Sequence, residues 1–295
     1  MRKKIFFLTF LIGLISLPFI LAEFILPYAI IKPYKPLIRE GNFAQNIEFQ
    51  DQHIQLNDSL SLAVRMFLPA TDTAKGGLIF LHGIGSCKEH QYNMASAFAA
   101  KGFLSLAYDA RAHGESEGLY CHFGATEKFD VLKLAENMRK KLGKEKAIGL
   151  IGHSMGAAVA LQSLALTDEL SFGVILSPFS NLEDIVLDRM ELYSYLRWKP
   201  YADYVLNNAG KIGGFDPLSV NPAELASSIE QPIFLAHGSE DKQIKAWHGE
   251  KVFKALASEI KEFHLVEGAG HNNLFDKGGP EFSEKIASFV EAQFP

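Results

Sequence analysis

The stretch GHSMG (Gly152–Gly156) follows the apolar run AIGLI (residues 147–151) and leads into GAAVALQSLAL (156–166). A short continuous apolar run reads as a buried strand. The small-residue stretch after it reads as a helix pressed closely against a sheet. One serine thus stands between two glycines where a strand becomes a helix. A sharp turn there exposes the serine side chain while its backbone is held, and glycines let neighbouring backbone approach. The first amides of the helix are unpaired, and the helix dipole favours an anion beside them. A serine at this place can be only a helix N-cap. The strand before it and the helix after it favour a nucleophile.

A serine nucleophile needs a base, and a base needs a group that fixes its tautomer. His271 lies in VEGAGHNNLF (266–275), in a turn just past the last expected strand. His82 and His237 also stand at strand ends, but each precedes a glycine in a strand-to-loop turn, where local hydrogen bonding suits them better. His153 is beside Ser154, and a neighbour in such a turn points elsewhere. The carboxylate is expected in LAHGSEDKQI (235–244), as Asp241 with Glu240 the rival next to it. A tetrahedral intermediate also needs donors for its oxyanion. Two backbone amides are expected: that of Met155, directly after the serine, and that of Ile84, in the glycine loop HGIGSCKEH (82–90).

Working outward, the chain from about residue 41 onward reads as one α/β unit. IEFQDQHIQL (47–56) and SLAVRMFL (61–68) form a hairpin about Asn57-Asp58. Strands are expected at 76–82, 102–109, 146–152, 172–177, 232–238 and 262–268, with helices near 90–100, 127–142, 154–166, 245–257 and 281–293. This alternation implies an eight-stranded, mostly parallel sheet with helices on both faces. Residues 179–231 interrupt it. They are rich in Tyr, Leu and Trp, and too long for an ordinary connection, so a small helical lid suited to an acyl chain is expected there, with a surface excursion carrying its own satellite core as the alternative. Asp184, Asp188 and Glu191 in this stretch are either a solvated helix face or a holder for a free amino terminus.

The chain has 295 residues, a formal net charge of -5, 48% hydrophobic and 21% charged residues. That suits one globular enzyme domain, and no basic patch invites nucleic acid. The ten histidines follow no metal-ligand spacing. Residues 1–40 differ from the rest. Arg2, Lys3 and Lys4 precede a charge-free apolar run from Ile5 to Ala22, about 27 Å long as a helix, close to the hydrocarbon thickness of a bilayer. Lys32, Lys35 and Arg39 follow. The run is expected to be a retained membrane anchor, with a cleaved export signal as the alternative. Either places residues 41–295 outside the cytoplasm. Cys87 and Cys121 are then two separate thiols or, in an exported domain, a disulfide.

In order, LHGIG, DARAHGES (109–116), GHSMG, HGSED and GAGH resemble the α/β-hydrolase superfamily, over roughly residues 45–293. The nearest likeness is to the branch of monoglyceride lipases, lysophospholipases and serine aminopeptidases. The resemblance implies Ser154 as nucleophile, Asp241 and His271 as its partners, and Ile84 and Met155 as oxyanion donors. It implies acyl transfer through an acyl-enzyme without metal or organic cofactor, with lipid or other apolar esters leading. Thioesters, amides and transfer to another alcohol use the same triad. A domain that keeps the fold but only binds is the alternative of another class. One departure is at Arg111-Ala112-His113-Gly114, where the family often has glycine two places after the arginine. Asp109 and Arg111 are expected to shape that loop by ion pairs.

Overall fold

The computed structural model describes residues 16–36, 43–44 and 46–294. Eight strands form one sheet in the order β1-β2-β4-β3-β5-β6-β7-β8. They are β1 (Phe49–Asn57), β2 (Leu60–Phe67), β3 (Gly77–Leu81), β4 (Leu104–Tyr108), β5 (Ile148–His153), β6 (Phe172–Leu176), β7 (Ile233–Gly238) and β8 (Lys261–Val266). β2 runs antiparallel to β1 and β4, and every other pairing is parallel. The expected hairpin is therefore the antiparallel edge of a parallel sheet. β1 alone shows largely exposed residues, as an edge strand with a wet face does.

Among the helices are α1 (Leu26–Ile31), α2 (Tyr92–Ala100), α3 (Glu127–Leu142), α4 (Met155–Leu164), α5 (Leu182–Ser194), α6 (Lys199–Gly213), α7 (Trp247–Ala255) and α8 (Leu274–Glu291), with a further single turn at Pro222–Leu225. Alternate strand residues feed two cores. Ile79 and Leu81 of β3 pack with Val131, Leu134 and Met138 of α3 and with α4. Leu78 and Phe80 pack on the other face with Phe98 of α2 and with Ile286 and Phe289 of α8. The period of two along a strand thus separates the layers. α8 begins earlier than the expected 281–293. Its first turn, from Leu274, is joined to the rest across a kink at Gly279 (φ 62°) and Pro280. Proline cannot carry a helix through its interior without losing a hydrogen bond, so sequence places the boundary there while the chain folds back onto the same face.

Residues 179–231 are largely helical. The Asn181 side chain accepts from the Asp184 amide and starts α5, which stops at Tyr195 in a left-handed conformation (φ 56°). α6 carries a proline in its first turn and ends at Gly214 (φ 72°). Against α6 lies the N-terminal segment, helical over residues 16–24 and again in α1. Tyr201 Oη donates to the Pro18 carbonyl (2.8 Å), and Tyr204 Oη (2.6 Å) and Asn208 Nδ2 (2.9 Å) donate to Glu23. Among the described residues no helix is long and apolar enough to cross a membrane. Arg2 to Lys4, Arg39 and the expected anchor's residues before 16 lie outside the described residues.

Cys87 and Cys121 are two free, buried thiols, so the disulfide alternative does not hold in this fold. Cys121 Sγ sits 3.3 Å from Met155 Sδ, and Cys87 Sγ sits 3.6 Å from His90 Nδ1. Burial pushes the Cys87 thiol up to about 12, which keeps it protonated and unreactive at neutral pH.

Candidate active site

The turn from β5 into α4 holds Ser154 at φ 57° and ψ −119°, a conformation a non-glycine residue rarely adopts. Packing imposes it. A Cβ on Gly152 would lie 2.4 Å from the Gly156 carbonyl oxygen, and one on Gly156 would lie 2.2 Å from the Leu81 carbonyl oxygen. Both glycines are thus required by close backbone approach. Ser154 occupies the N-cap position of α4, yet its side chain makes no capping hydrogen bond. It faces His271 instead: Ser154 Oγ and His271 Nε2 are 2.9 Å apart.

His271 lies between β8 and α8, and its Nδ1 is 2.7 Å from Asp241 Oδ2. Asp241 follows β7, where its Oδ1 accepts from the Gln243 (2.8 Å) and Ile244 (2.9 Å) amides. Burial pushes its carboxyl up, but the nearby His237 ring and the hydrogen bonds from His271 and from the backbone outweigh this and hold it well below the usual carboxylate range. An ionised carboxylate on Nδ1 fixes the tautomer, so Nδ1–H donates to Asp241 and Nε2 is free to accept from Ser154. All three side chains are buried, with Ser154 5%, Asp241 5% and His271 7% exposed. Glu240, the rival carboxylate, is not part of this chain of hydrogen bonds.

The loop after β3 lies against the serine, since a Cβ on Gly83 would come within 3.2 Å of Ser154 Cβ. Neither the Ile84 nor the Met155 amide has an acceptor among the described residues. Two donors therefore flank Ser154 with unused capacity. His82 holds this loop: its ring donates from Nδ1 to the Gly83 carbonyl (2.8 Å) and accepts at Nε2 from the Ala110 amide (2.9 Å). Burial lowers its pKa, which keeps the accepting nitrogen unprotonated. His237 donates to the Ile244 carbonyl (2.8 Å), with Asp241 Oδ2 3.6 Å away. Both histidines fill the local roles their strand-end positions suggest.

Asp109 is buried under the same loop. It accepts from the Lys88 amide (2.7 Å), Lys88 Nζ (3.0 Å) and the Glu115 amide (2.9 Å). Arg111 makes a two-bond pair with Asp130 (2.8 and 2.6 Å). Where the motif departs from the family, Ala112 itself takes the left-handed conformation (φ 64°), and His113 packs edge-on to His82 with ring centroids 4.9 Å apart.

His153 is the residue that sequence reasoning missed. Its Nε2–H donates to the His271 carbonyl (2.8 Å), with the two rings 4.8 Å apart. Burial, and then the neighbouring His271, hold its pKa down to about 4. It therefore tethers the loop that carries the base, as a neutral donor. The only sequence signal was its adjacency to Ser154, and nothing local showed that the β8–α8 loop passes over it.

A cleft of about 1080 Å³ opens above Ser154. Its apolar wall is Met94 and Phe98 of α2 with Leu274, Phe275, Ile286 and Ala287 of α8. This corrects the expectation that lid aromatics receive an acyl chain. Tyr193, Tyr195 and Trp198 are 75%, 94% and 53% exposed, and none of them lines the cleft. Of the lid helices only α5 reaches the cleft wall, through Arg189. Asp184, Asp188 and Glu191 are engaged by Lys251, by Arg197 and Lys245, and by Lys245, and none lines the cleft. No group of acidic, histidine or cysteine side chains among the described residues is placed to hold a metal ion.

Residues 77–215 match the alpha/beta hydrolase fold family. The chain is 25% identical over 219 residues to the uncharacterized protein YqkD of Bacillus subtilis, covering 72% of this chain and 70% of the relative. It is 24% identical over 237 residues to the lysophosphatidylserine lipase ABHD12 of Danio rerio, spanning 74% of this chain and 59% of that longer protein. The Pyrococcus furiosus esterase Pf2001 superposes with a TM-score of 0.70 at 23% identity, over 88% of this chain and 98% of the esterase, a likeness of fold.

Proposed function

We propose that the chain, whose residues 77–215 match the alpha/beta hydrolase fold family, is a serine-dependent carboxylic-ester hydrolase of that superfamily acting on esters of apolar acyl groups. The observation that carries this reading is the continuous chain Ser154 Oγ–His271–Asp241 at 2.9 and 2.7 Å, with the serine turned away from capping. His271 Nε2 takes the Ser154 proton as Oγ attacks the ester carbonyl. The oxyanion forms against the Met155 and Ile84 amides. Imidazolium is stabilised by ionised Asp241. It then gives its proton to the departing alkoxide, leaving an acyl-enzyme. Water, deprotonated by the same nitrogen, releases the acid.

The apolar wall between α2 and α8 supports an acyl chain as the substrate's main feature. A relative named as a lysophosphatidylserine lipase points the same way. A membrane surface as the working place is supported by one further pattern. The outward side of residues 16–24 carries Leu17, Phe19, Ile20 and Phe24, each 46–70% exposed. That segment rests on α6, and the α5–α6 connection carries Tyr195, Leu196 and Trp198, also exposed. Exposed apolar surface of this kind suits a lipid interface. Anchoring through residues 1–40, with the hydrolase unit outside the cytoplasm, is part of the same proposal.

The test is to treat the purified full chain with a fluorophosphonate and map the adduct by mass spectrometry, beside a series of esters of rising acyl length. A single adduct on Ser154 and a preference for medium or long chains are expected. Folded protein with no adduct and no ester turnover returns the domain to a binding role. An adduct without ester turnover turns the reading to thioesters, amides or acyl transfer.

A further inference from the structure

The cleft holds two cationic side chains among its described lining residues, Lys101 and Arg189. Lys101 pairs with Glu291 at 2.9 Å. Arg189 has no carboxylate partner among the described residues. Its guanidinium makes only two long bonds to neutral groups, Tyr193 Oη and Gln243 Oε1, both 3.3 Å. The carboxylates around it on α5 are engaged by other cations: Asp184 by Lys251, Asp188 by Arg197 and Lys245, Glu191 by Lys245. Glu284, also on the cleft wall, belongs to α8 and makes no ion pair with Arg189. α5 thus directs its one unmatched charge into the cleft of the proposed catalytic serine.

The placement has a direction. Gln243, which Arg189 touches, gives its amide to Asp241 (2.8 Å), so the guanidinium borders the triad on the β7 side. The apolar wall belongs to α2 and α8 instead. An ester whose acyl chain lies along α2 and α8 places its alcohol portion toward α5. We infer that Arg189 receives an anionic group on the alcohol side, so the substrates are amphiphilic esters with an apolar acyl chain and a negatively charged head. A planar guanidinium matches phosphate or carboxylate oxygens with two parallel bonds, and its present neutral partners are weak enough to be displaced.

This inference rests on the ester-hydrolase reading, and the experiment separates the two. The full chain, in nonionic detergent, is given decanoyl esters of glycerol, of glycerol phosphate and of glyceric acid, and decanoate release is measured. For the wild type, kcat/KM for one or both anionic esters exceeds that for the neutral ester about tenfold or more, the scale of a charge-assisted bond. Arg189→Gln brings this ratio close to one, Arg189→Glu takes it below one, and Arg189→Lys keeps part of it. Raising the salt to about 0.5 M lowers the wild-type ratio. Which anionic ester leads distinguishes a phosphate from a carboxylate head. As a readout free of turnover, decyl phosphate slows fluorophosphonate labelling of Ser154 in the wild type, and about tenfold more of it is needed in Arg189→Gln. A wild-type ratio near one, or a ratio and a decyl phosphate requirement unchanged in Arg189→Gln, overturns the role of Arg189 alone. No release from any of the three esters by the wild type overturns the hydrolase reading and this inference with it.

Discussion

Around Ser154 the backbone is confined by contact on every side, whereas the α5–α6 excursion shows its largest side chains to solvent. At the turn, a single Cβ on Gly152 or Gly156 meets backbone oxygen at 2.4 or 2.2 Å. In the excursion, Tyr193 and Tyr195 are 75% and 94% exposed, and the polar residues are tied by ion pairs among themselves and to α7 and its approach. The first region is specified by exclusion: few residue types fit, so few are compatible with the fold. The second is specified by what lies outside it. Its exposed aromatics are not used by the core, and their purpose must be sought in a partner surface.

The sharpest test of the confined region is Ser154→Ala. Ester turnover is expected to fall by about 10⁴-fold or more while the melting temperature stays within a few degrees, because the side chain makes no structural cap. Near-normal kcat for the purified variant would remove the basis of the mechanism.

Gly156→Ala probes confinement itself. The added methyl meets the Leu81 carbonyl, and neither backbone can give way without moving β3 or the first turn of α4. A loss of about 2–4 kcal/mol is expected, lowering the melting temperature by roughly 10 °C. An unchanged melting curve would show that the turn is looser than its contacts indicate.

Acid stability extends the comparison to buried histidines. Burial, as the largest cause, holds His113 down to about 3 and His153 and His248 down to about 4. Unfolded histidine titrates near 6.5, so below that pH the unfolded chain binds more protons than the folded one. The stability from keeping these rings neutral is full above about pH 6.5 and is lost as pH falls toward 4, by at most about 1.4 kcal/mol per ring per pH unit. Asp130, held up to about 6 by burial, works in the opposite direction. The expected net result is a melting temperature lower by on the order of 10 °C at pH 5 than at pH 7. Scanning calorimetry across that range checks it, and a flat profile would contradict the buried neutral rings.

The smallest effect on stability is expected in the excursion. Tyr195→Ser with Trp198→Ser should change stability by about 0.5 kcal/mol or less, since both side chains are exposed. Binding to lipid vesicles, by flotation, should fall severalfold. If the pair instead unfolds the protein and leaves flotation intact, the contrast between the two regions is wrong.

Much of the confined region was legible in the residues. GHSMG between a strand and a small-residue helix, Asp241 after a strand and glycine turn, and His271 in a late glycine turn each sit where the alternation puts them, at one edge of the sheet. Less was legible where neighbours come from distant sequence. His153 donating to the His271 carbonyl is a contact across 118 residues. The kink that lets α8 start at Leu274 hid Leu274 and Phe275 of the cleft's apolar wall before Gly279 and Pro280. The lid aromatics were expected inside because composition records how apolar a segment is, but not which way it faces.

The sequence by itself determined the layered sheet, the hairpin at its edge, and the serine, acid and histidine in chain order. Those follow from periodicity and from the narrow choice of residues that a strained turn admits. Only the tertiary structure decided that Cys87 and Cys121 stay apart, that α2 and α8 rather than the excursion wall the cleft, and that Arg189 enters it without a carboxylate partner among the described residues. Such features depend on which surfaces meet when distant segments pack, and packing partners leave no periodic trace along the chain.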